Sequence, residues 1–257
     1  MRLENARFII SVHDPKLLPS DAEPEVAFIG RSNAGKSSAI NTLAGRRRLA
    51  YVSKTPGRTQ LINFFAVDDD GFLVDLPGYG YAGVPLAVRE HWNTLVGDYV
   101  RGRGALAGVV IVMDSRHPLT PLDRRLLDWL RPAGRDLHVL LTKSDKLSAQ
   151  AAHRTLAAAR KDLAGLYPGA TVQLFSSMKR TGIAEATARI AGWFGESEPQ
   201  KTKAPAEGEV AGAKKALMGI KAPAQGGEAG KESPFTRSDR RQRAKVPAPR
   251  KPAAGHP

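Results

Sequence analysis

A short apolar run, Glu25-Val26-Ala27-Phe28-Ile29, passes directly into Gly30-Arg31-Ser32-Asn33-Ala34-Gly35-Lys36-Ser37, and Ser38-Ala39-Ile40-Asn41-Thr42-Leu43 follows it. Strand, glycine-bounded loop and helix in that order make one unit of a parallel α/β sheet. G-x-x-x-x-G-K-S at the junction is a Walker A pattern in the context that gives it meaning. Its glycines let backbone N–H groups curl around an anion at a helix N-terminus, where partial positive charge gathers. Lys36 is then expected to reach the β- and γ-phosphates of a nucleotide, and the Ser37 hydroxyl to ligate Mg²⁺. A glycine-rich turn with an incidental lysine does not account for that context.

The rest of the first 196 residues repeats the theme. Apolar runs at 26–30, 61–67, 71–76, 107–113, 137–142 and 171–175 read as strands, and helical spacing covers 35–45, 86–100, 120–131, 148–166 and 182–194. Asp68-Asp69-Asp70-Gly71 joins the second and third strands as a hairpin turn. The expected fold is therefore a three-layer α/β P-loop GTPase fold with a mostly parallel six-stranded sheet and one antiparallel edge strand. In 148–166, Leu156, Ala159, Leu163 and Leu166 form one core-facing stripe, and Trp92, Trp129 and Trp193 read as packing anchors on helices.

Two further strand ends carry the discriminating chemistry. Leu73-Val74-Asp75-Leu76-Pro77-Gly78 closes on D-x-x-G: Asp75 is expected to hold Mg²⁺ through water, and the Gly78 N–H to face the γ-phosphate. Leu137-His138-Val139-Leu140-Leu141 runs into Thr142-Lys143-Ser144-Asp145, close to the N-K-x-D that reads guanine. Asp145 can accept from guanine N1–H and the 2-amino group together, a pairing adenine does not offer. Lys143 would lay its methylene stem on the base. Thr142 stands where asparagine is usual, which removes part of the expected loop bracing. Phe175-Ser176-Ser177 follows the last strand, where a backbone N–H meets guanine O6. Between the P-loop helix and the next strand, Ser53-Lys54-Thr55-Pro56-Gly57-Arg58-Thr59-Gln60 occupies the first switch, with Thr59 as second Mg²⁺ ligand and Thr55 as its competitor. Lys36, Thr59 and Gly78 are the residues expected to serve hydrolysis directly. No residue is a general base, so positioning and electrostatics carry the chemistry.

Composition bears on compartment and partner. No apolar run approaches a membrane span, the charged N-terminus lacks a secretory pattern, and there is no cysteine. The six histidines show no metal-ligand spacing. A cytoplasmic monomer off the membrane is expected. Net charge is +14, which suits a polyanionic partner, RNA foremost. Residues 197–257 hold 13 Lys+Arg against 6 Asp+Glu, half of the excess, in a Pro/Ala/Gly/Lys-rich composition that reads as a disordered tail. That tail is either a neutral solvated extension or a sequence-independent rRNA tether, and deleting it separates the two by the salt dependence of binding.

Taken together, G-R-S-N-A-G-K-S-S, K-T-P-G-R-T-Q-L-I-N-F-F, V-D-L-P-G-Y-G-Y-A, L-L-T-K-S-D-K and F-S-S closely resemble the EngB (YihA/YsxC) family of bacterial ribosome-assembly GTPases, over roughly residues 5–195. The resemblance implies a single GTPase domain, Mg²⁺ dependence, a role in large-subunit ribosome assembly with rRNA and ribosomal proteins as partners, and a link to cell division and septation. It matches Ser37 and Thr59 to Mg²⁺ ligands, and 30–37, 57–61 (Gly57, Arg58, Thr59, Gln60, Leu61), 75–78, 142–145 and 175–177 to nucleotide segments. Thr142 follows the family's own T-K-x-D habit. Asn33 matches the position that coordinates K⁺ in potassium-stimulated relatives. Tyr79 stands where many GTPases carry a water-orienting glutamine, so unassisted hydrolysis is expected at about 10⁻⁴ to 10⁻³ s⁻¹. The rival from another class is a non-catalytic RNA-binding scaffold that uses nucleotide for stability; a second is a P-loop ATPase.

Overall fold

The computed structural model describes residues 2–19, 22–50, 61–79 and 86–195. The expected tail, 197–257, and the first-switch residues Gly57, Arg58, Thr59 and Gln60 lie outside them, as does Thr55.

Seven strands form one sheet in the order β1-β3-β4-β2-β5-β6-β7. They are β1 (Arg7–Val12), β2 (Glu25–Gly30), β3 (Ile62–Val67), β4 (Gly71–Asp75), β5 (Leu106–Asp114), β6 (Leu137–Thr142) and β7 (Thr171–Leu174). The helices are α1 (Lys36–Leu43), α2 (Leu86–Gly102), α3 (Pro121–Leu130), α4 (Ala149–Leu166) and α5 (Ile183–Gly195). From β4 through β2, β5 and β6 to β7 every pairing is parallel.

The sheet has one strand more than the sequence suggested, and this moves the antiparallel strand off the edge. β3 is antiparallel to both β4 and β1, and β1 forms the edge. β1 escaped notice because its side chains do not alternate. Its register slips between Phe8 and Ile10, and Phe8, Ile9 and Ile10 are all exposed, leaving only Val12 buried. A bulge that twists an edge strand also blunts it against edge-to-edge pairing.

Along the central strands the side chains alternate between two cores, as a sheet covered on both faces requires. Ala27 and Ile29 of β2, with Val109, Ile111 and Met113 of β5, pack against α2, α3 and α4. Val26 and Phe28, with Val110 and Val112, pack against α1 and α5. Ala159 and Leu163 of α4 are buried, with Leu156 and Leu166 packed beside them. Trp129 and Trp193 are buried anchors; the side chain of Trp92 lies outside the described set. A Cβ at Gly108 would sit 2.3 Å from the Trp193 ring, so β5 is bare there to let the indole lie against it. At the β3–β4 hairpin, Gly71 has φ +143° and a Cβ would lie 2.2 Å from the Pro24 carbonyl, so both conformation and space demand glycine.

The end of the sheet away from the glycine loop is closed by buried charge. Glu25 is fully buried and accepts from Arg103 Nε (2.9 Å), Arg103 Nη2 (2.5 Å) and Tyr99 Oη (2.7 Å). Arg135 donates to the carbonyls of Val100, Leu106 and Arg103. Removing one member of such a pair costs about 3–5 kcal/mol, since it strands the other charge without water. Among the described residues no helix is long and apolar enough to cross a membrane.

Candidate nucleotide-binding site

At the other end of the sheet, β2 turns into the glycine loop. A Cβ on Gly30 would lie 2.7 Å from the Val112 carbonyl, so only glycine lets β2 and β5 remain close there. Asn33 (φ 63°) and Gly35 (φ 99°) then take left-handed conformations that bend the chain back onto α1. Asparagine tolerates this region better than most residues. Gly35 caps α1 without any side-chain bond, so the first backbone N–H groups of α1 are left for an anion by the geometry of a helix start. Ser37 is half-buried on the first turn.

The D-x-x-G segment is zipped onto this loop. Leu76 N–H donates to the Phe28 carbonyl (3.0 Å), Tyr79 N–H to the Gly30 carbonyl (3.2 Å), and Ser32 N–H to the Tyr79 carbonyl (3.2 Å). A Cβ on Gly78 would be 3.3 Å from the Gly30 carbonyl, a tight contact that glycine avoids. Asp75, 3% exposed, ion-pairs with Lys36 Nζ beneath the loop. The lysine ammonium and the strand-end carboxylate are therefore in direct contact, the lysine one residue along the chain from Ser37.

Thr142, Lys143, Ser144 and Asp145 extend from β6 beside the loop. The Thr142 hydroxyl donates to the Ala34 carbonyl at 2.5 Å, and lies 3.0 Å from the Met113 carbonyl. Threonine therefore does supply a brace between the two loops. Lys143 (φ 56°) donates to the Asn33 carbonyl (2.6 Å) and to Asp114 Oδ2 (3.0 Å), so its stem crosses from one loop to the other. Asp114, at the end of β5, was not singled out from sequence. The signal was an apolar strand ending in a carboxylate, which the sheet sets level with Thr142. Burial alone would raise its pKa, but hydrogen bonds from Arg116 and Lys143 hold it far below the usual carboxylate range.

Asp145 Oδ1 accepts from Ser176 Oγ at 2.6 Å, and this hydrogen bond is the main cause of its lowered pKa. Ser144 donates through N–H (3.2 Å) and Oγ (3.0 Å) to the Phe175 carbonyl. Ser177 is half-buried beside them, and Phe175 is fully buried. The structure thus gathers Gly30, Arg31, Ser32, Asn33, Ala34, Gly35, Lys36, Ser37, Asp75, Leu76, Pro77, Gly78, 142–145 and 175–177 at one end of the sheet; Leu61 directly precedes β3. An ionised Asp145 fixed by Ser176 can accept two N–H groups from one ligand edge.

A Mg²⁺ ion fits these residues. Among the described residues no group of three or more His, Asp or Glu side chains forms a self-sufficient metal site. The Ser37 hydroxyl and the Asp75 carboxylate beside Lys36 offer the few hard oxygens that an ion sharing phosphate oxygens and water requires.

This sheet, glycine loop, strand-end aspartate and T-K-x-D loop make the protein a P-loop GTPase. A family model described as a 50S ribosome-binding GTPase matches residues 25–143. Relatives named probable GTP-binding protein EngB include those of Aromatoleum aromaticum, 59% identical over 74% of this chain and 88% of the relative, and Methylobacillus flagellatus, 58% identical over 74% and 92%. That of Nitrosomonas europaea is 52% identical over 80% and 97%. The chain belongs to the EngB family of GTP-binding proteins. The fold is shared with a crystal structure of a probable GTP-binding protein EngB (TM-score 0.52, 20% identity, 67% of this chain and 99% of that one). It is shared too with Era in complex with MgGDPNP and nucleotides 1506–1542 of 16S ribosomal RNA (TM-score 0.54, 18% identity, 68% and 58%).

Proposed function

We propose that the protein is a cytoplasmic, monomeric GTP switch that acts on the large ribosomal subunit or its precursor and thereby supports cell division and septation. The observation that carries this reading is the match of residues 25–143 to the 50S ribosome-binding GTPase model, supported by the basic charge of the chain.

In this reading Gly30 to Ser37 cradle the phosphates, with Lys36 on the β- and γ-phosphates. Gly57 to Leu61 and Asp75 to Gly78 sense the γ-phosphate. Asp145, Lys143, Ser144 and Thr142 with Phe175 to Ser177 hold guanine. Ser37 and Thr59 would ligate Mg²⁺, with Asp75 behind a water; the ion supplies positive charge on the β- and γ-phosphate oxygens. K⁺ at Asn33 is a further proposed ligand.

The low unassisted rate follows from Tyr79. Its ring is buried in the core, and its hydroxyl donates to Asp123 (2.6 Å), so it does not orient an attacking water. Acceleration of about 10³-fold or more then needs a partner. Single-turnover hydrolysis measured with and without large-subunit precursor particles tests this. Stimulation is expected; fast multiple-turnover hydrolysis by the isolated protein would overturn it.

A further inference from the structure

Several surface cations stand beside carboxylates: Arg124 by Asp162, Arg131 by Asp128, Arg101 by Asp98, Arg189 by Asp136. One face differs. Arg2, Arg46, Arg47, Arg48, Lys179 and Arg180 are exposed, and none forms an ion pair with another described residue. They come from three distant stretches of chain that the fold brings together. Arg2 and Arg180 line a cavity of about 220 Å³ with the hydroxyl-bearing Thr42 and Thr187, and Glu4 is the one carboxylate in its lining. Arg46 Nε donates to the Glu4 carbonyl (3.1 Å), which sets Arg46 at the rim, with the exposed Arg47 and Arg48 next in the chain.

The arginine run is also held in place. Asn41, 7% exposed, accepts from Ala50 N–H (2.7 Å) and donates to the Ala50 carbonyl (2.9 Å). This buried clamp closes the loop that presents Arg46, Arg47 and Arg48. A merely solvated charge run needs no such clamp, and like charges held close repel one another. On the other side, Lys179 N–H donates to Ser176 Oγ (3.0 Å), the hydroxyl that fixes Asp145. The face therefore adjoins the base-reading loop.

We infer that this face is a docking surface for the phosphate backbone of RNA. Guanidinium forks match phosphate oxygens bidentately. Threonine hydroxyls are ordinary partners of phosphate and sugar. The inference rests on the ribosome-directed reading above and names the surface by which that partner is held. Recognition is of backbone, with no base specified.

The test compares the full chain with a variant carrying Arg46→Ala, Arg47→Ala, Arg48→Ala and Arg180→Ala. Binding to a short RNA duplex and to large-subunit precursor particles is measured across a KCl series. Because each lost phosphate contact lowers the slope of log affinity against log salt by about one, the variant should lose about 3 to 4 from that slope. GTP affinity should be unchanged. The corresponding four-lysine variant, which keeps the charge, should keep most of the slope, and this separates lost charge from lost fold. The same slope in the alanine variant overturns the inference; so does a defect confined to phosphatidylglycerol vesicles or to an acidic protein. If wild-type GTP and GDP forms bind precursor particles equally while the slope still falls, the switch reading fails and this surface stands.

Discussion

The Tyr79 hydroxyl donates to Asp123 Oδ1 at 2.6 Å, where Tyr79 is 5% exposed and Asp123 fully buried. The other oxygen of Asp123 accepts from Thr120 N–H (2.8 Å) and Thr120 Oγ1 (2.6 Å), closing the capping box of α3. Arg31 Nε of the glycine loop stands 3.6 Å from Oδ1. One carboxylate therefore joins the residue after D-x-x-G, the loop that follows β2 and the start of α3. Burial, reinforced by the charge of Asp123, pushes the Tyr79 phenol well above its usual pKa, so it remains a donor.

Tyr79→Phe removes the donor and leaves Asp123 with its other partners. Stability should fall by about 1–3 kcal/mol, the penalty for an imperfectly satisfied buried group. Unassisted GTP hydrolysis should not change, because the hydroxyl is spent on α3. Thermal melting and single-turnover kinetics on the same preparation check both parts, and a large loss of unassisted rate would assign Tyr79 to the chemistry after all.

Thr142→Val keeps the shape and removes the hydroxyl that braces Ala34. Guanine nucleotide affinity should weaken by about 1–3 kcal/mol, roughly 5- to 150-fold. Asp145→Asn acts differently: it should lower GTP affinity and raise that for xanthosine triphosphate. Titration of fluorescent GTP and competition with XTP and ATP distinguish the two effects, and retained GTP preference in the asparagine variant would contradict the assignment of Asp145.

His138 gives a pH dependence. It is buried on β6, with Nδ1 2.7 Å from Thr171 Oγ1 and Nε2 2.8 Å from Gln173 Oε1. Gln173 Oε1 accepts only, so the neutral ring donates through Nε2 and accepts at Nδ1. Burial lowers its pKa below the usual value. The unfolded chain therefore binds the proton first: the neutral ring's contribution to stability is whole above about pH 6.5 and is lost as pH falls through and below that value. His138→Gln should flatten the melting temperature between about pH 7.5 and pH 5.5; parallel profiles for the two proteins would exclude His138 as the source.

Asn33 sets a test of the proposed K⁺ site. Hydrolysis should be faster in K⁺ than in Na⁺ buffer, and Asn33→Ala should erase the difference. Equal rates in the wild type dispose of the K⁺ reading.

Much of the arrangement was legible because single runs fix both position and chemistry. Glu25 to Leu43 announces strand, loop and helix at once, and the hairpin at Asp68 to Gly71 follows from its turn residues. β1 was not legible, since three consecutive apolar side chains, Phe8, Ile9 and Ile10, stay exposed across a bulge. The capping box Thr120-Pro121-Leu122-Asp123 is a local signature, but nothing local shows that Asp123 also receives Tyr79 from 44 positions upstream. Asp114 and Glu25 were hidden for the same reason. A carboxylate at the end of an apolar strand declares its partner only after the sheet brings Lys143 or Arg103 beside it.

The most direct test of the proposed switch is co-sedimentation with large-subunit precursor particles of the protein loaded with a non-hydrolysable GTP analogue or with GDP. The GTP form should pellet with the particles and the GDP form should remain largely in the supernatant. Equal recovery of both forms in the pellet would contradict the proposal that nucleotide state governs ribosome binding.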